Sequence, residues 1–130
     1  LLLQASGLGL TSMGADLNPK MVWLTRNNLR QMSLRALVCR ADARNIAGRF
    51  DGTATNLPYG RYLPRPPGLY EDIAANLVRQ TKRTVFVAAE DCTAIWEEAG
   101  FRVPRVARVT AGSFTRHVHL CVSGPAGDPK

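Results

Sequence analysis

Cysteine is scarce in this chain, and its pattern excludes two classes at once. Only Cys39, Cys92 and Cys121 occur, an odd and widely spaced set of three with no CxxC pair. Such a set does not build a disulfide framework, and a structural zinc site needs clustered Cys and His ligands. Cys39 and Cys121 fall inside strand-like runs, where a cysteine serves as a small buried hydrophobe. Histidine is scarcer still. His117 and His119 are the only two, they alternate along one strand pattern, and neither has a carboxylate at the spacing of a catalytic pair. No metal is implied. Long apolar runs are also missing, since none approaches the roughly 20 residues of a membrane span, and no signal peptide is visible. The expectation is a chain with no membrane partner, in a reducing, cytoplasmic setting. Nor is there a Lys/Arg-rich tail, a block of like charge or an internal repeat.

What is present is a sizeable, basic domain. At 130 residues with 45% hydrophobic content the chain can bury a real core and is not disordered on composition. Net charge is +7, with a sequence pI near 10.0. That balance suits a polyanion such as RNA, and the even spread of positives points to a distributed basic surface rather than a disordered arm.

Short apolar runs alternate with longer helical patterns, which predicts strand–helix units and a mostly parallel sheet. An opening helix gives way to a strand over Met13–Asp16. Asn18 is a natural cap and Pro19 a natural first helical residue. The helix they start runs to about Met32, with Met21, Leu24 and Leu29 inward and Arg26 and Arg30 outward. Strands follow over Ala36–Cys39 and Phe50–Thr55. Three prolines between Arg61 and Gly68 exclude helix there; this loop either contacts substrate or merely connects. A helix over Leu69–Lys82, with Leu69, Ile73, Leu77 and Val78 on one face, precedes a buried strand over Thr84–Ala89 and a short helix over Asp91–Ala99 stopped by Gly100. Phe101–Thr110 and Phe114–Val122, joined by Ala111-Gly112-Ser113, predict a terminal antiparallel hairpin. Residues 1–122 form the domain, and 123–130 a flexible tail.

One strand end carries chemistry. After Phe50–Thr55 come Asn56, Leu57, Pro58, Tyr59, Gly60 and Arg61. In open α/β sheets the carboxyl edge of the strands is where ligands bind. An Asn amide oxygen and backbone carbonyls can accept hydrogen bonds from an amine, and the Tyr59 ring offers a face on which a base can stack. Asn56-Leu57-Pro58-Tyr59 resembles the (Asp/Asn)-Pro-Pro-Tyr motif of S-adenosylmethionine-dependent amino-methyltransferases. Three further stretches match in the order such a domain requires. Ser12–Asp16 followed by Leu17–Val22 resembles the second strand and next helix, Val38–Ala43 the third strand and its turn, and Ser113–Leu120 the terminal strand of the THUMP-associated RNA methyltransferases, which modify the 2-amino group of guanosine.

The resemblance implies a Rossmann-like sheet and S-adenosylmethionine as cofactor, with tRNA or another structured RNA as partner. Asn56, Leu57, Pro58 and Tyr59 would be the catalytic motif. Asp16 would accept the cofactor's ribose hydroxyls, and Asp42 and Ala43 would lie against its adenine; Asp42 is equally readable as a helix cap. Gly60, Arg61 and Arg116 would meet substrate. Two departures stand out. Leu57 replaces a proline, and the family's first strand and Gly-rich cofactor turn would precede residue 1. The chain is therefore expected to be the carboxyl-terminal part of a longer enzyme, inactive by itself. The alternatives are another amine acceptor (ribosomal RNA, adenine or a protein glutamine) or a non-catalytic RNA-binding module.

Overall fold

The chain alternates short strands with helices, as its apolar periodicity requires, and folds as two units, Leu1–Ile46 and Ala47–Lys130. The computed structural model describes residues 1–60 and 64–124. The expected flexible tail therefore lies almost wholly outside the described residues.

The first unit contains α1 (Leu2–Gly7), β1 (Met13–Asp16), α2 (Pro19–Gln31) and β2 (Leu37–Arg40). Helix α2 begins as its sequence predicts. Asn18 takes an extended conformation and its side-chain oxygen accepts the Lys20 amide at 2.9 Å, while Pro19 occupies a position whose amide has no helical partner. The inward face differs by one position from the expectation. Val22 and Leu29 are buried and Leu24 half-buried, whereas Met21 is 39% exposed. Residues seven apart share a helix face, so Val22 and Leu29 fix the stripe and the 100° step turns Met21 off it. β1 and β2 pair in parallel from Met13↔Leu37 to Asp16↔Arg40, with α2 as the crossover that parallel strands require.

The second unit contains β3 (Thr53–Asn56), α3 (Leu69–Gln80), β4 (Arg83–Ala88), α4 (Thr93–Glu98), β5 (Phe101–Ala111) and β6 (Phe114–Ser123). Its sheet has the order β3-β4-β6-β5. β3 and β4 are parallel, and β6 runs antiparallel to both β4 and β5. The expected hairpin forms, with Ala111 paired to Phe114 and Gly112 at φ +61°, a left-handed conformation that glycine adopts at no steric cost. Its second strand inserts between β4 and β5, so the antiparallel part of the sheet extends beyond the hairpin.

Period-two alternation gives this sheet one face with a buried centre. Thr84, Phe86, Ala88, His119 and Cys121 are buried there. Trp96 of α4 closes it, stacking on Phe86 at 4.1 Å between ring centroids and meeting Phe101 at 5.2 Å. His119 stacks on Phe86 from β6 at 4.2 Å. The next residues along each strand point the other way, and Val85 and Val109 stay 38% and 51% exposed. Burial pushes the Cys92 thiol up to about 11 and that of Cys121 up to about 12, so both are small packing groups rather than nucleophiles. Among the described residues, no helix is long and apolar enough to cross a membrane.

His119 is held as a neutral ring. Its Nε2 accepts the Cys92 amide proton at 3.1 Å, and the same nitrogen lies 3.3 Å from the Asp91 carboxylate. It cannot accept from one and donate to the other at once. Complete burial, which disfavours the imidazolium, decides for the Cys92 contact and lowers the His119 pKa below its ordinary value.

Two expectations follow from this core. Trp96→Ala removes the lid of the aromatic stack and should cost about 3–5 kcal/mol of stability, read as a lower urea midpoint. Because the folded state binds the His119 proton less readily than the unfolded chain, stability should be full above pH 6.5 and fall as pH drops through that value. Asp91, held down to about 2 by hydrogen bonds from the Thr93 hydroxyl and amide, contributes its own loss only below its ordinary 3.8. Urea midpoints measured between about pH 7.5 and 5 should therefore slope in the parent protein and flatten in His119→Gln; a slope unchanged in the variant would place the effect elsewhere.

Candidate functional site

β3 delivers Asn56 to the carboxyl edge of its sheet, where it pairs with Val87 of β4. The next amide, of Leu57, donates to the Val87 carbonyl at 3.0 Å and extends the ladder by one bond. A proline in this position has no proton to give. The departure seen in the sequence thus gains a backbone anchor, and the Leu57 side chain is 2% exposed, buried beneath the turn. Pro58 follows, and its carbonyl accepts the Tyr70 hydroxyl at 2.6 Å. The chain then reverses so that the Tyr59 hydroxyl donates to the Asn56 amide oxygen. Asn56 is exposed and Tyr59 half-buried. Gly60 takes φ +77°, the left-handed backbone that lets the chain leave the turn.

Arg116 arrives at the same edge by topology. β6 is antiparallel to β4, so its first residues lie beside the last residues of β4, with His117 opposite Ala88. From there the Arg116 guanidinium carbon sits 5.5 Å from the centre of the Tyr59 ring. The structure therefore brings Asn56 and Tyr59, from β3 and its turn, together with Arg116 from β6. Arg61 lies outside the described residues.

Three neighbours were not anticipated from the sequence. Tyr70 is 1% exposed, and burial pushes its phenol pKa up, which keeps it a neutral donor to Pro58. The buried stripe of α3 is Tyr70, Ile73, Ala74 and Leu77, rather than one that starts at Leu69. The i, i+3, i+4, i+7 spacing from Tyr70 was present in the sequence and was the signal available. Arg65 lies 3.7 Å over the Tyr70 ring centre and forms an ion pair with Glu90, whose hydrogen bond raises the Arg65 pKa. No sequence signal links residues 65 and 90.

The first unit holds the residues expected to meet a cofactor. Asp16 ends β1, and its carboxylate accepts the Asn18 amide at 2.7 Å. A carboxylate has about four acceptor positions, so one such bond leaves it able to take a ribose diol. The Ala41 amide donates to the Asp16 carbonyl at 3.2 Å, which starts the turn after β2. Within that turn the Asp42 carboxylate accepts the Arg44 amide at 2.9 Å and is gripped by its guanidinium, which holds the carboxyl below its ordinary range. Asp42 is thus a turn-former, with Ala43 at the turn's start. The exposed Asp16 edge fits a diol-bearing cofactor; the Asp42 carboxylate meets one only in competition with Arg44. Among the described residues, no group of His, Cys, Asp and Glu is arranged to hold a metal ion.

No curated protein sequence matches the chain. Among solved structures it resembles Synechocystis PCC 6803 magnesium protoporphyrin IX methyltransferase, with SAH and with SAM bound. The TM-scores are 0.81 and 0.80 at 12% and 13% identity, over 95% and 93% of this chain but 69% and 63% of that one. It also resembles Pyrococcus abyssi tRNA (uracil-54, C5)-methyltransferase, with a TM-score of 0.66 at 17% identity over 90% of this chain and 30% of that one. Haemophilus influenzae TehB gives 0.72 at 12% identity, over 94% of this chain and 53% of that one. These likenesses show a Rossmann-like methyltransferase fold in a chain that spans less than two thirds of several of the proteins it resembles. The family model for the RMKL-like methyltransferase domain matches residues 4–116, and the chain belongs to that family.

Proposed function

We propose that this domain serves in methyl transfer from S-adenosylmethionine to the exocyclic 2-amino group of guanosine in tRNA. The observation that carries the reading is the exposed Asn56 amide at the carboxyl edge of β3, with the Tyr59 ring beside it and Arg116 flanking that ring. Membership in a methyltransferase family supplies the reaction class. The choice of guanosine and of tRNA rests on the resemblance of the Ser113–Leu120 strand and on the +7 net charge.

S-adenosylmethionine, when bound, supplies a methyl group on a positively charged sulfur. The chain's own residues do the positioning. Asp16 would accept ribose hydroxyls, and the Asp42–Ala43 turn would meet the adenine. Asn56 Oδ1, now occupied by the Tyr59 hydroxyl, would exchange that donor for an N–H of the target amine and so orient the nitrogen lone pair. Alignment of this kind accounts for most of what an in-line transfer needs. Leu57 and Pro58 shape the turn and offer carbonyls, with one lone pair of the Pro58 oxygen already given to Tyr70. Tyr59 supports the base by stacking, and Arg116 gives the site positive charge for a base edge or a phosphate. Gly60 continues the substrate-facing backbone. The amine cannot be reached inside a duplex, so the guanosine leaves its stack.

The test pairs the natural polypeptide carrying residues 1–130 with unmodified tRNA and radiolabelled S-adenosylmethionine, followed by nucleoside analysis. Label is expected in N2-methylguanosine. Asn56→Ala should lower transfer by about 100-fold or more while leaving cofactor affinity within about twofold. Label in another nucleoside, in ribosomal RNA or in a protein glutamine would change the acceptor. Absence of transfer to all of these would favour a non-catalytic binding role.

A further inference from the structure

Tyr70 holds the structure together around the amine motif in a way that the motif's own residues do not. It stands in the first turn of α3, beyond the proline loop, with its whole side chain buried. Its hydroxyl donates to the Pro58 carbonyl at 2.6 Å, and its ring lies under the Arg65 guanidinium at 3.7 Å. One side chain thus touches the chain on both sides of residues 61–63. Arg65 is in turn tied to Glu90, just past the end of β4.

We infer that Tyr70 is a positioning residue for methyl transfer: by fixing the Pro58 carbonyl it sets the turn that aims Asn56 and Tyr59, and Arg65 with Glu90 holds Tyr70 in place. This rests on the reading of Asn56–Tyr59 as the amine site. The geometry favours it over a purely packing role for three reasons. A buried hydroxyl needs a partner, and here the partner is a motif carbonyl rather than any carbonyl of its own helix. A proline carbonyl follows a fixed φ, so holding the oxygen restricts the remaining freedom of that turn. The guanidinium over the ring is shielded from water on the ring side, where its attraction to the ring is strongest.

Tyr70→Phe keeps the ring, its burial and its contact with Arg65, and deletes only the hydroxyl. In the natural polypeptide carrying this domain the variant should keep cofactor affinity and thermal midpoint close to the parent's, while kcat for the RNA acceptor falls about tenfold. KM should move less than kcat, because the lost contact aligns rather than binds. Arg65→Lys keeps the charge and loses the planar stack; it should lower kcat about threefold and serves as the deciding variant if Tyr70→Phe does not fold. A folded Tyr70→Phe with parental kcat would overturn the inference. So would a loss of activity that only tracks a lowered thermal midpoint. Asn56→Ala separates the two readings: if it retains turnover, the amine-site reading itself fails, whereas loss in Asn56→Ala with none in Tyr70→Phe removes only the role of Tyr70.

Discussion

Strand direction is the constraint on which the site depends. β3 and β4 run in parallel, so both end at one edge of their sheet. β6 is antiparallel to β4, so it begins where they end. Two stretches far apart in sequence, β3 with the turn after it and the start of β6, thereby place Asn56, Tyr59 and Arg116 within reach of one another. Reversing β6 in place would move Arg116 to the position Cys121 now holds, about 17 Å away for five residues at about 3.4 Å each. The register has the same importance. A slip by one residue would turn Arg116 and His119 to opposite faces from those they now occupy.

The register is in turn secured by the aromatic core. Phe86, Trp96, Phe101 and His119 come from β4, α4, β5 and β6. Their interlocking ties together the strands that carry the site and the helix that covers them. A histidine in this position adds something that phenylalanine could not, since Nε2 accepts the Cys92 amide at the entry to α4. The same nitrogen explains why His119 cannot act as a general base. It is buried and already occupied, and a base must be open to its substrate. On the proposed reading, the chemistry would fall to amide, carbonyl and aromatic groups at the exposed edge.

Much of this was legible from the sequence, where the signals were local. β1 begins and ends at Met13 and Asp16 as expected, α2 is capped by Asn18 and Pro19, and Gly100 closes α4 with φ +105°. Each of these depends on a few neighbouring residues. The Asn56–Tyr59 turn was also visible, because motif residues are defined by their order. What escaped were choices made across the chain. Whether β6 lies outside β5 or between β4 and β5 depends on pairings some thirty residues apart, which a hairpin turn does not specify. Met21 and Val22 are both apolar neighbours, and the packed unit buries Val22. Tyr70 sits one place from Leu69, which reads as the better core residue by composition alone. The Tyr70, Ile73, Ala74, Leu77 spacing favours Tyr70, but nothing local signals that its hydroxyl has a remote carbonyl partner.

Leu57 shows how the local and remote levels combine. Read from the sequence, it weakens the motif, because a second proline would have fixed the turn by its own ring. In the fold the missing rigidity is restored from outside the motif. The Leu57 amide joins β4 through Val87, its side chain is buried, and the following carbonyl is held by Tyr70. Proline restricts a turn by limiting its intrinsic conformations, whereas these contacts restrict it by attaching it to a packed sheet and helix. The two routes differ in one physical respect. A proline turn keeps its shape even when the surrounding structure loosens, while an attached turn is only as firm as β4 and α3. The aim of Asn56 is thus coupled to the integrity of the core beneath it, and a residue that would count as a defect in the motif instead ties the site to the stability of its own scaffold.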